Sequence, residues 1–186
     1  MKVGPRAKLL LLAALFFAPI AASLFAYHYL RPEPSANYGE LLLPPSTIPE
    51  HALSRLDGGT FRFAEMKDRW ILVASDSGAC AGECVAKVHA MRQVRLALGR
   101  NASRVARVFV VDDLKAPHAA ALAPVEDLVI ALTPRGLTLP LGAANDRAHI
   151  YLVDPHGNVM MRWPAVPQPR GMLKDLERLL KASQIG

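Results

Sequence analysis

The stretch DRWILVASDSGACAGECVAKVHAMRQVRLALGRN, residues 68–101, decides the fold of this chain. It opens with an apolar run at residues 70–74 that is short and bulky enough to form a buried strand. A small polar loop follows, and beyond it apolar residues recur every three or four positions, which indicates a helix. Their positions are Val85, Val88, Met91, Val94 and Leu98. Gly99 supplies the stop signal, so the stretch predicts a strand, a loop and a helix.

The only two cysteines of the chain, Cys80 and Cys84, lie between the predicted strand and the body of the helix. The free N–H groups and the positive dipole end of a helix N-terminus favour an anion, so a cysteine placed there ionises more readily. We expect Cys80, taken to be nearer the helix start, to be the more reactive thiol. Four residues of helix rise about 6 Å, which puts both sulfurs on one face and within reach of a disulfide.

The same pair of cysteines has two other interpretations. Two thiolates at this spacing can hold a soft metal ion. Two small, buried apolar side chains that happen to lie close together are also common for cysteine. The residues alone leave these alternatives open.

The N-terminal segment has the features of a membrane anchor. Residues 9–30 are almost wholly apolar, and about 20 apolar residues span a bilayer. Three cations precede the run, namely Lys2, Arg6 and Lys8, which predicts that the N-terminus stays in the cytoplasm. A signal peptide cut near Ser23 is the competing interpretation, but the apolar run continues past that point. We therefore expect a leader and a single uncleaved transmembrane helix within residues 1–31.

One domain of ordinary size follows the anchor in this chain of 186 residues. The net charge of +6 is modest, and no run of basic residues alternates with aromatic ones, so nucleic acid is excluded as a partner. The five prolines within residues 32–52 predict an extended, non-helical tether. We place the globular domain at residues 53–186, with its paired cysteines facing an oxidising compartment.

Patterns of strands and turns continue along this domain. Residues 56–60 have turn chemistry and residues 61–64 alternate, which predicts an N-terminal hairpin. Residues 104–113 form a second apolar run, so the first strand, the helix and this run predict a βαβ unit. Further on the pattern is ambiguous, with helical composition at 119–123 and strand-like bulk at 127–132.

The C-terminal part of the sequence gives a clearer pattern. Two apolar runs, 149–153 and 159–163, flank a turn with proline and glycine and predict a hairpin. Residues 171–183 then predict a helix with one apolar face, formed by Leu173, Leu176, Leu179 and Leu180. The order βαβ followed by ββα is the thioredoxin arrangement, so the predicted fold class is α/β, thioredoxin-like, with an extra N-terminal hairpin.

Three linked motifs resemble those of the Sco/SenC family of cytochrome c oxidase assembly proteins. They are LDGGTFRF at 56–63 followed by KDRWILV at 67–73, the C-x-x-x-C of Cys80 and Cys84, and YLVDPHG at 151–157. The resemblance covers roughly residues 53–182 and the preceding anchor. It implies a thioredoxin-like domain in the periplasm, held at a bacterial inner membrane by a single span.

The resemblance also implies a cofactor and partners. Proteins of this family bind copper through both cysteines and a distal histidine, and they serve the copper centre of cytochrome c oxidase. Copper, bound by Cys80 and Cys84, is therefore the implied cofactor. A subunit of the oxidase, or one of its copper chaperones, is the implied partner beside the membrane.

Two positions depart from the pattern of that family. Val85 stands where the family has a proline after the second cysteine. The ligand histidine of the family precedes the hairpin aromatic by about five residues, and counting back from Tyr151 gives Asp146. His149 is the nearest histidine, so it is the candidate third metal ligand, on the strand face shared with Tyr151 and Val153.

Two functions of different classes follow from these observations. The first is a thiol–disulfide oxidoreductase acting in oxidase assembly, in which the Cys80 thiolate attacks and Cys84 resolves the mixed disulfide. Glu83, between the cysteines, opposes thiolate formation by its charge, whereas Lys87 favours it. The second is a copper carrier, or a scaffold for oxidase maturation without chemistry of its own.

Overall fold

The apolar run near the N-terminus folds as one long helix, α1 (Pro5–Tyr29). The computed structural model describes residues 4–29, 37–118, 127–134, 137, 139–141 and 147–183. The chain divides into two units, Met1–Ala36 and Asn37–Gly186, and α1 belongs to the first. Its segment Pro5–Ala26 has a mean hydropathy of 2.5 and is long and apolar enough to cross a membrane. The predicted helix is thus present, with the length and composition expected of an anchor.

A mixed sheet forms the frame of the second unit. In the part of the chain that the structure describes, the strands are β1 (Glu40–Thr47), β2 (Leu53–Arg55), β3 (Thr60–Phe61), β4 (Trp70–Asp76), β5 (Val105–Val111), β6 (Leu128–Leu132), β7 (His149–Val153) and β8 (Asn158–Pro164). Their order across the sheet is β1-β8-β7-β4-β5-β6-β2-β3. Strands β4, β5 and β6 are parallel to one another, and the other pairs are antiparallel.

The described residues of the unit also form two α-helices, α2 (Glu83–Ala97) and α3 (Pro169–Ala182), and two 3₁₀ helices, Phe63–Met66 and Gly99–Arg104. The βαβ unit predicted from the first apolar run is β4-α2-β5, and the predicted C-terminal hairpin and helix are β7, β8 and α3. Strands β2 and β3 pair across the turn at residues 56–59 and are the predicted N-terminal hairpin. The thioredoxin-like arrangement is therefore confirmed.

The segment predicted as a tether does not stay outside the sheet. Residues 40–47 form β1, which pairs with β8 at one edge of the sheet, with a shift of register between Leu41 and Ser46. The prediction of extended backbone was right, but a start of the domain at residue 53 was too late. Prolines are tolerated in an edge strand because its outer N–H groups need no partner in the sheet. Composition alone therefore does not distinguish this strand from a linker.

Both faces of the sheet carry an apolar core. We call the residues that pack under α2 and α3 the helix-side core; it contains Leu72, Ala74, Phe109, Ile150, Leu152, Met91 and both cysteines. The opposite core contains Ile71, Val73, Val108, Val110, Tyr151 and Val153 with the side chains of the N-terminal hairpin. Successive residues of a strand point to opposite faces, and β4 and β5 are central strands that need apolar residues on both. This is why they read as continuous apolar runs.

The first turn of α2 differs from the predicted apolar face. Val85 was assigned to that face, but it is 41% exposed, whereas Val88, Met91 and Val94 are buried as predicted. Lys87, one residue before Val88, is fully buried instead. The apolar face of the helix therefore begins one turn later than its spacing predicted. Near the start of the helix, one buried position is occupied by a charged side chain, Lys87.

A buried carboxylate fixes the chain where it enters the second unit. Asp175 of α3 is 2% exposed and accepts hydrogen bonds from the backbone N–H groups of Tyr38, at 3.0 Å, and Gly39, at 2.8 Å. Its Oδ2 also accepts a hydrogen bond from Trp163 Nε1 at 3.0 Å. Three donors satisfy a carboxylate that has no cation beside it in these contacts. Through Asp175 the residues before β1, strand β8 and helix α3 are joined at one point.

The docking of α3 is testable with a single substitution. Leu176 is fully buried in the helix-side core, so Leu176→Ala should lower the free energy of unfolding by about 2–5 kcal/mol. Urea unfolding of the full chain in detergent measures this loss. The control is Glu177→Ala at the exposed neighbouring position, which should change stability by less than about 0.5 kcal/mol. Equal stability of the two variants would contradict the docking of the helix.

Candidate functional site

The two cysteines are joined by a disulfide at the end of β4. The Cα atoms of Cys80 and Cys84 are 5.2 Å apart, and each residue is 3% exposed. This agrees with the predicted proximity, although the pair does not lie on one helix face. Helix α2 begins at Glu83, so Cys84 lies in its first turn and Cys80 lies in the loop before it. The prediction placed the helix start too early.

The backbone conformation of two residues prevents the helix from starting as early as predicted. Cys80 has φ of 26° and Gly82 has φ of 57°, and both values lie outside the right-handed helical region. Gly82 is the residue immediately before the helix, and its conformation is one that side chains rarely adopt. The chain turns sharply between the cysteines, which brings the sulfurs together without a helical spacing.

Backbone hydrogen bonds hold the segment that carries Cys80, which we call the Cys80 loop (residues 77–82). The N–H of Ser77 donates to Asp76 Oδ1 at 2.7 Å, and the N–H of Gly78 donates to Asp113 Oδ1 at 3.0 Å. The carbonyl of Gly78 accepts from the N–H of His118 at 2.9 Å. Position 78 has no room for a side chain, because a Cβ there would lie 2.0 Å from the carbonyl oxygen of Lys115.

A buried ammonium group lies one helical turn beyond Cys84. Lys87 Nζ is 2.6 Å from Asp76 Oδ2 and donates to the carbonyl oxygens of Ser75, at 2.9 Å, and Arg147, at 2.6 Å. The side chain is fully buried, so its charge is compensated by the carboxylate and its three N–H groups are used. Lys87 thereby fastens α2 to the end of β4 and to the residues that lead into β7.

The guanidinium of Arg147 completes the charged network. It forms ion pairs with Asp76, at 3.6 Å, with Asp112, and with Asp113, at 3.5 Å. The hydrogen bond with Asp112, which outweighs the cost of burial, raises the pKa of Arg147. Asp112 also accepts a hydrogen bond from the hydroxyl of Ser75 at 2.8 Å. Three carboxylates and two cations therefore surround the end of β4 beside the disulfide.

Asp113 keeps its negative charge in this setting. Partial burial acts to raise the pKa of its carboxyl, but hydrogen bonds from Ser77, Gly78 and Lys115, and the charge of Arg147, lower the pKa below its usual value. The carboxylate is therefore the form that the surrounding donors stabilise.

His149 lies on the wrong face of the sheet for a ligand at the cysteines. Its ring is 5.9 Å from the ring of Tyr151, a residue of the opposite core, whereas the cysteines belong to the helix-side core. Side chains of a strand alternate between faces, so the sheet separates His149 from the sulfurs. This geometry contradicts its assignment as the third metal ligand. His118, whose backbone bonds to Gly78, lies nearer the Cys80 loop.

The described residues at the cysteines do not make a complete copper site. Among the described residues no group of three His, Cys, Asp or Glu side chains is placed to hold a metal ion. The two sulfurs are soft ligands that suit Cu(I) once reduced. The position equivalent to the family's histidine, Asp146, lies outside the described residues. The described donor set therefore fits disulfide chemistry better than three-coordinate copper.

Much of the charged network was not recognised from the sequence. Lys87 was noted for its charge, but Asp76, Asp112, Asp113 and Arg147 were not assigned to the site. A signal was available, because Asp76 ends β4 and Asp112 follows β5 directly. The carboxyl ends of adjacent parallel strands meet at one edge of a sheet, which is where the cysteines were predicted. No comparable pattern in the sequence points to Arg147 as a member of the network.

Comparison with known proteins adds a family and a set of similar folds. The family model described as "Transmembrane-like, thioredoxin-like, C-terminal domain" matches residues 70–183. No curated protein sequence matches the chain.

Three solved structures illustrate the likeness of fold. Apo Sco1 from Thermus thermophilus is 18% identical, with a TM-score of 0.60, over 78% of this chain and 98% of that one. Yeast Sco1 with copper bound is 12% identical, with a TM-score of 0.61, over 75% of this chain and 95% of that one. The thioredoxin domain of a thiol-disulfide oxidoreductase from Bacteroides vulgatus is 15% identical, with a TM-score of 0.54, over 75% of this chain and 99% of that one. The chain thus has the fold of Sco proteins and of thiol-disulfide oxidoreductases.

The contribution of the buried Lys87 ammonium to stability can be compared with that of an exposed ammonium group. Lys87→Met should lower the free energy of unfolding by about 3–5 kcal/mol, because it removes the nearer of the two cations paired with Asp76 and the donor to two backbone carbonyls. The matched control is Lys67→Met. Lys67 also pairs with a carboxylate at 2.8 Å, that of Glu50, but both side chains are more than half exposed. Urea unfolding should show the control close to the wild type; an equally small effect of Lys87→Met would contradict the role given to this ion pair.

Proposed function

Because the chain belongs to the family of transmembrane-like, thioredoxin-like C-terminal domains, we propose that it is a membrane-anchored thiol–disulfide exchange protein. The observation that carries the proposal is the pair Cys80 and Cys84, bonded to each other at the N-terminal end of α2, with Cα atoms 5.2 Å apart. A helix N-terminus stabilises a thiolate, and a pair this close can open and close without unfolding the domain.

The two cysteines take different roles in the proposed exchange. Both cysteines pack in the helix-side core, but Cys84 lies within the first turn of α2. Cys80 lies in the loop before the helix, so it can approach a partner sulfur without unwinding α2. Cys80 is therefore the attacking thiolate, and Cys84 resolves the mixed disulfide. Because both residues are nearly buried, a partner has to approach the end of β4 closely.

The biological setting that we propose is the assembly of cytochrome c oxidase. It is supported by the motifs shared with the Sco/SenC family and by the likeness of fold to Sco1 proteins. The partner is then an oxidase subunit, or a copper chaperone of the oxidase, whose cysteines exchange with those of this chain. We propose that the domain lies in the periplasm, anchored in the bacterial inner membrane by α1.

Copper transfer is the second candidate function. Structures of yeast Sco1 and of Bradyrhizobium japonicum ScoI contain copper, and their folds are similar to this one. In this chain the reduced sulfurs of Cys80 and Cys84 would hold Cu(I), with copper as cargo. Two observations weigh against this function. His149 lies on the other face of the sheet, and the nearby carboxylates are already engaged in ion pairs with Arg147. Exchange chemistry needs only the two sulfurs.

The exchange function is tested on the full chain in detergent. After reduction and mild oxidation, the wild type should form a monomeric disulfide, detected as two thiols lost to alkylation. In single variants, the thiol of Cys80 in Cys84→Ser should react faster with an alkylating reagent than that of Cys84 in Cys80→Ser. Cys84→Ser should also accumulate a mixed disulfide with a disulfide-bonded model peptide, because no second thiol resolves it.

Two other outcomes of this experiment contradict the proposal. If the wild type cannot be oxidised to a monomeric disulfide, exchange by this pair fails. Titration of the reduced chain with Cu(I) is the parallel measurement. If the reduced chain retains one Cu(I) against a strong chelator and does not react with the model peptide, the carrier function replaces the proposed one. A faster reaction of Cys84 at low pH reverses the two roles.

The anchor is tested by expressing the chain in bacteria. The protein should stay in the membrane fraction after alkaline carbonate extraction, and its intact mass should include residues 9–30. The domain should be digested by protease added to spheroplasts, since Lys2, Arg6 and Lys8, which precede the apolar run, favour a cytoplasmic N-terminus. A soluble product whose sequence starts near Ser23 would show that the segment is a cleaved signal peptide.

A further inference from the structure

We propose that Asp113 is a positioning residue for the exchange reaction, holding the Cys80 loop in the conformation that closes the disulfide. The reduced protein then gives up electrons readily and acts as the reductant of its partner. This inference rests on the function proposed above, to which it adds a direction of electron flow and the residue that favours it.

The carboxylate of Asp113 joins two loops. Its Oδ1 accepts hydrogen bonds from the N–H of Gly78, at 3.0 Å, and from the N–H of Lys115, at 3.1 Å. The hydroxyl of Ser77 also hydrogen-bonds to it. Two consecutive residues of the Cys80 loop are thus held by one side chain from the segment after β5. Hydrogen bonds to a charged acceptor are stronger than those between neutral groups.

The backbones of the two loops are also in direct contact. The N–H of His118 donates to the carbonyl of Gly78, and the Cα of Gly78 lies against the carbonyl of Lys115. None of these contacts involves a sulfur atom, so their chemistry is the same when the disulfide is reduced. We infer that Cys80 stays close to Cys84 in the dithiol form. A pre-positioned pair loses less conformational entropy on bond formation, which favours the disulfide.

The charges at this edge act in the same direction. The carboxylates of Asp76, Asp112 and Asp113 outnumber the cations Lys87 and Arg147, with which they are paired. A surplus negative charge opposes formation of a thiolate and so disfavours the reduced state. The exposed side chains of Glu83 and Lys115 carry opposite charges, and the N-terminus of α2 favours a thiolate. The carboxylates offset that helix effect.

The proposed reaction balances without any group beyond the two proteins. The Cys80 thiolate attacks one sulfur of a disulfide in the partner, and the other sulfur of the partner leaves as a thiolate. The Cys84 thiolate then attacks the Cys80 sulfur, forms the Cys80–Cys84 bond and releases the second thiolate of the partner. Two electrons pass to the partner, which becomes a dithiol after taking up two protons. A dithiol protein has to reduce this chain again before the next turnover.

The test measures the equilibrium between dithiol and disulfide in the full chain, in detergent. The chain is equilibrated with mixtures of reduced and oxidised dithiothreitol, and the free thiols are counted by mass after alkylation. Asp113→Asn should lower the equilibrium constant for disulfide formation about tenfold, which corresponds to about 30 mV. Ser77→Ala, which removes one donor to the same carboxylate, should lower it by a smaller factor, and Asp113→Glu should restore part of the loss.

The matched control for Asp113→Asn is Asp57→Asn. Asp57 Oδ1 accepts a hydrogen bond from the N–H of Gly59 at 3.1 Å in a turn of the N-terminal hairpin, so the control removes the same kind of contact away from the cysteines. Its equilibrium constant should equal that of the wild type. Urea unfolding of the reduced proteins shows that the variants are folded. Should Asp113→Asn not fold, Ser77→Ala carries the test alone.

Three results would overturn the inference. In the first, Asp113→Asn has the equilibrium constant of the wild type within about twofold. In the second, Asp57→Asn shifts it as much as Asp113→Asn. In the third, the reduced wild type fails to reduce oxidised glutathione, so the pair is not a strong reductant. These results differ from failure of the proposed function itself, in which the wild type forms no monomeric disulfide under any mixture.

Discussion

The contact between Lys87 and Asp76 is the interaction on which the rest of the site depends. An ammonium that is fully buried must have its charge matched, and a single carboxylate 2.6 Å away does so. Because the remaining N–H groups of Lys87 bond to carbonyls of two other segments, the position of α2 relative to β4 is fixed where the cysteines lie. Asp76 in turn holds the Cys80 loop through the N–H of Ser77 and pairs with Arg147. One ion pair therefore links the cysteine pair to both neighbouring loops.

The thioredoxin-like fold was predictable from the sequence because its central elements have strong patterns. β4 and β5 are covered on both faces, so their apolar runs are continuous, and the hairpin of β7 and β8 is marked by proline and glycine in its turn. The boundaries were less predictable. Residues 40–47 join the sheet although their prolines suit a linker, because pairing with β8 depends on a strand more than a hundred residues away. The helix start at Glu83 depends on the conformation of Gly82, which apolar spacing does not show.

The candidate site was predictable only in part, for the same reason. The cysteines were found because they are the only two of the chain and lie between a strand and a helix. The network around them is made by side chains from β4, α2, the segment after β5 and the residues that lead into β7, which come together only in the folded chain. His149 shows the limit of sequence reasoning most clearly. Its strand face was identified correctly, but which face meets the cysteines is a property of the packed sheet.

The same network bears on the choice between redox chemistry and copper. A guanidinium has no lone pair to offer a metal ion, so Arg147 does not supply a third ligand. Its charge is engaged by Asp112, Asp113 and Asp76, which are thereby used in ion pairs and hydrogen bonds to the Cys80 loop. A third ligand from these carboxylates would break those contacts. Thiol–disulfide exchange requires none of them to move, because bond making and breaking take place at the two sulfurs alone. The proposed exchange therefore needs fewer changes in the described contacts around Cys80 and Cys84 than a three-coordinate copper site would.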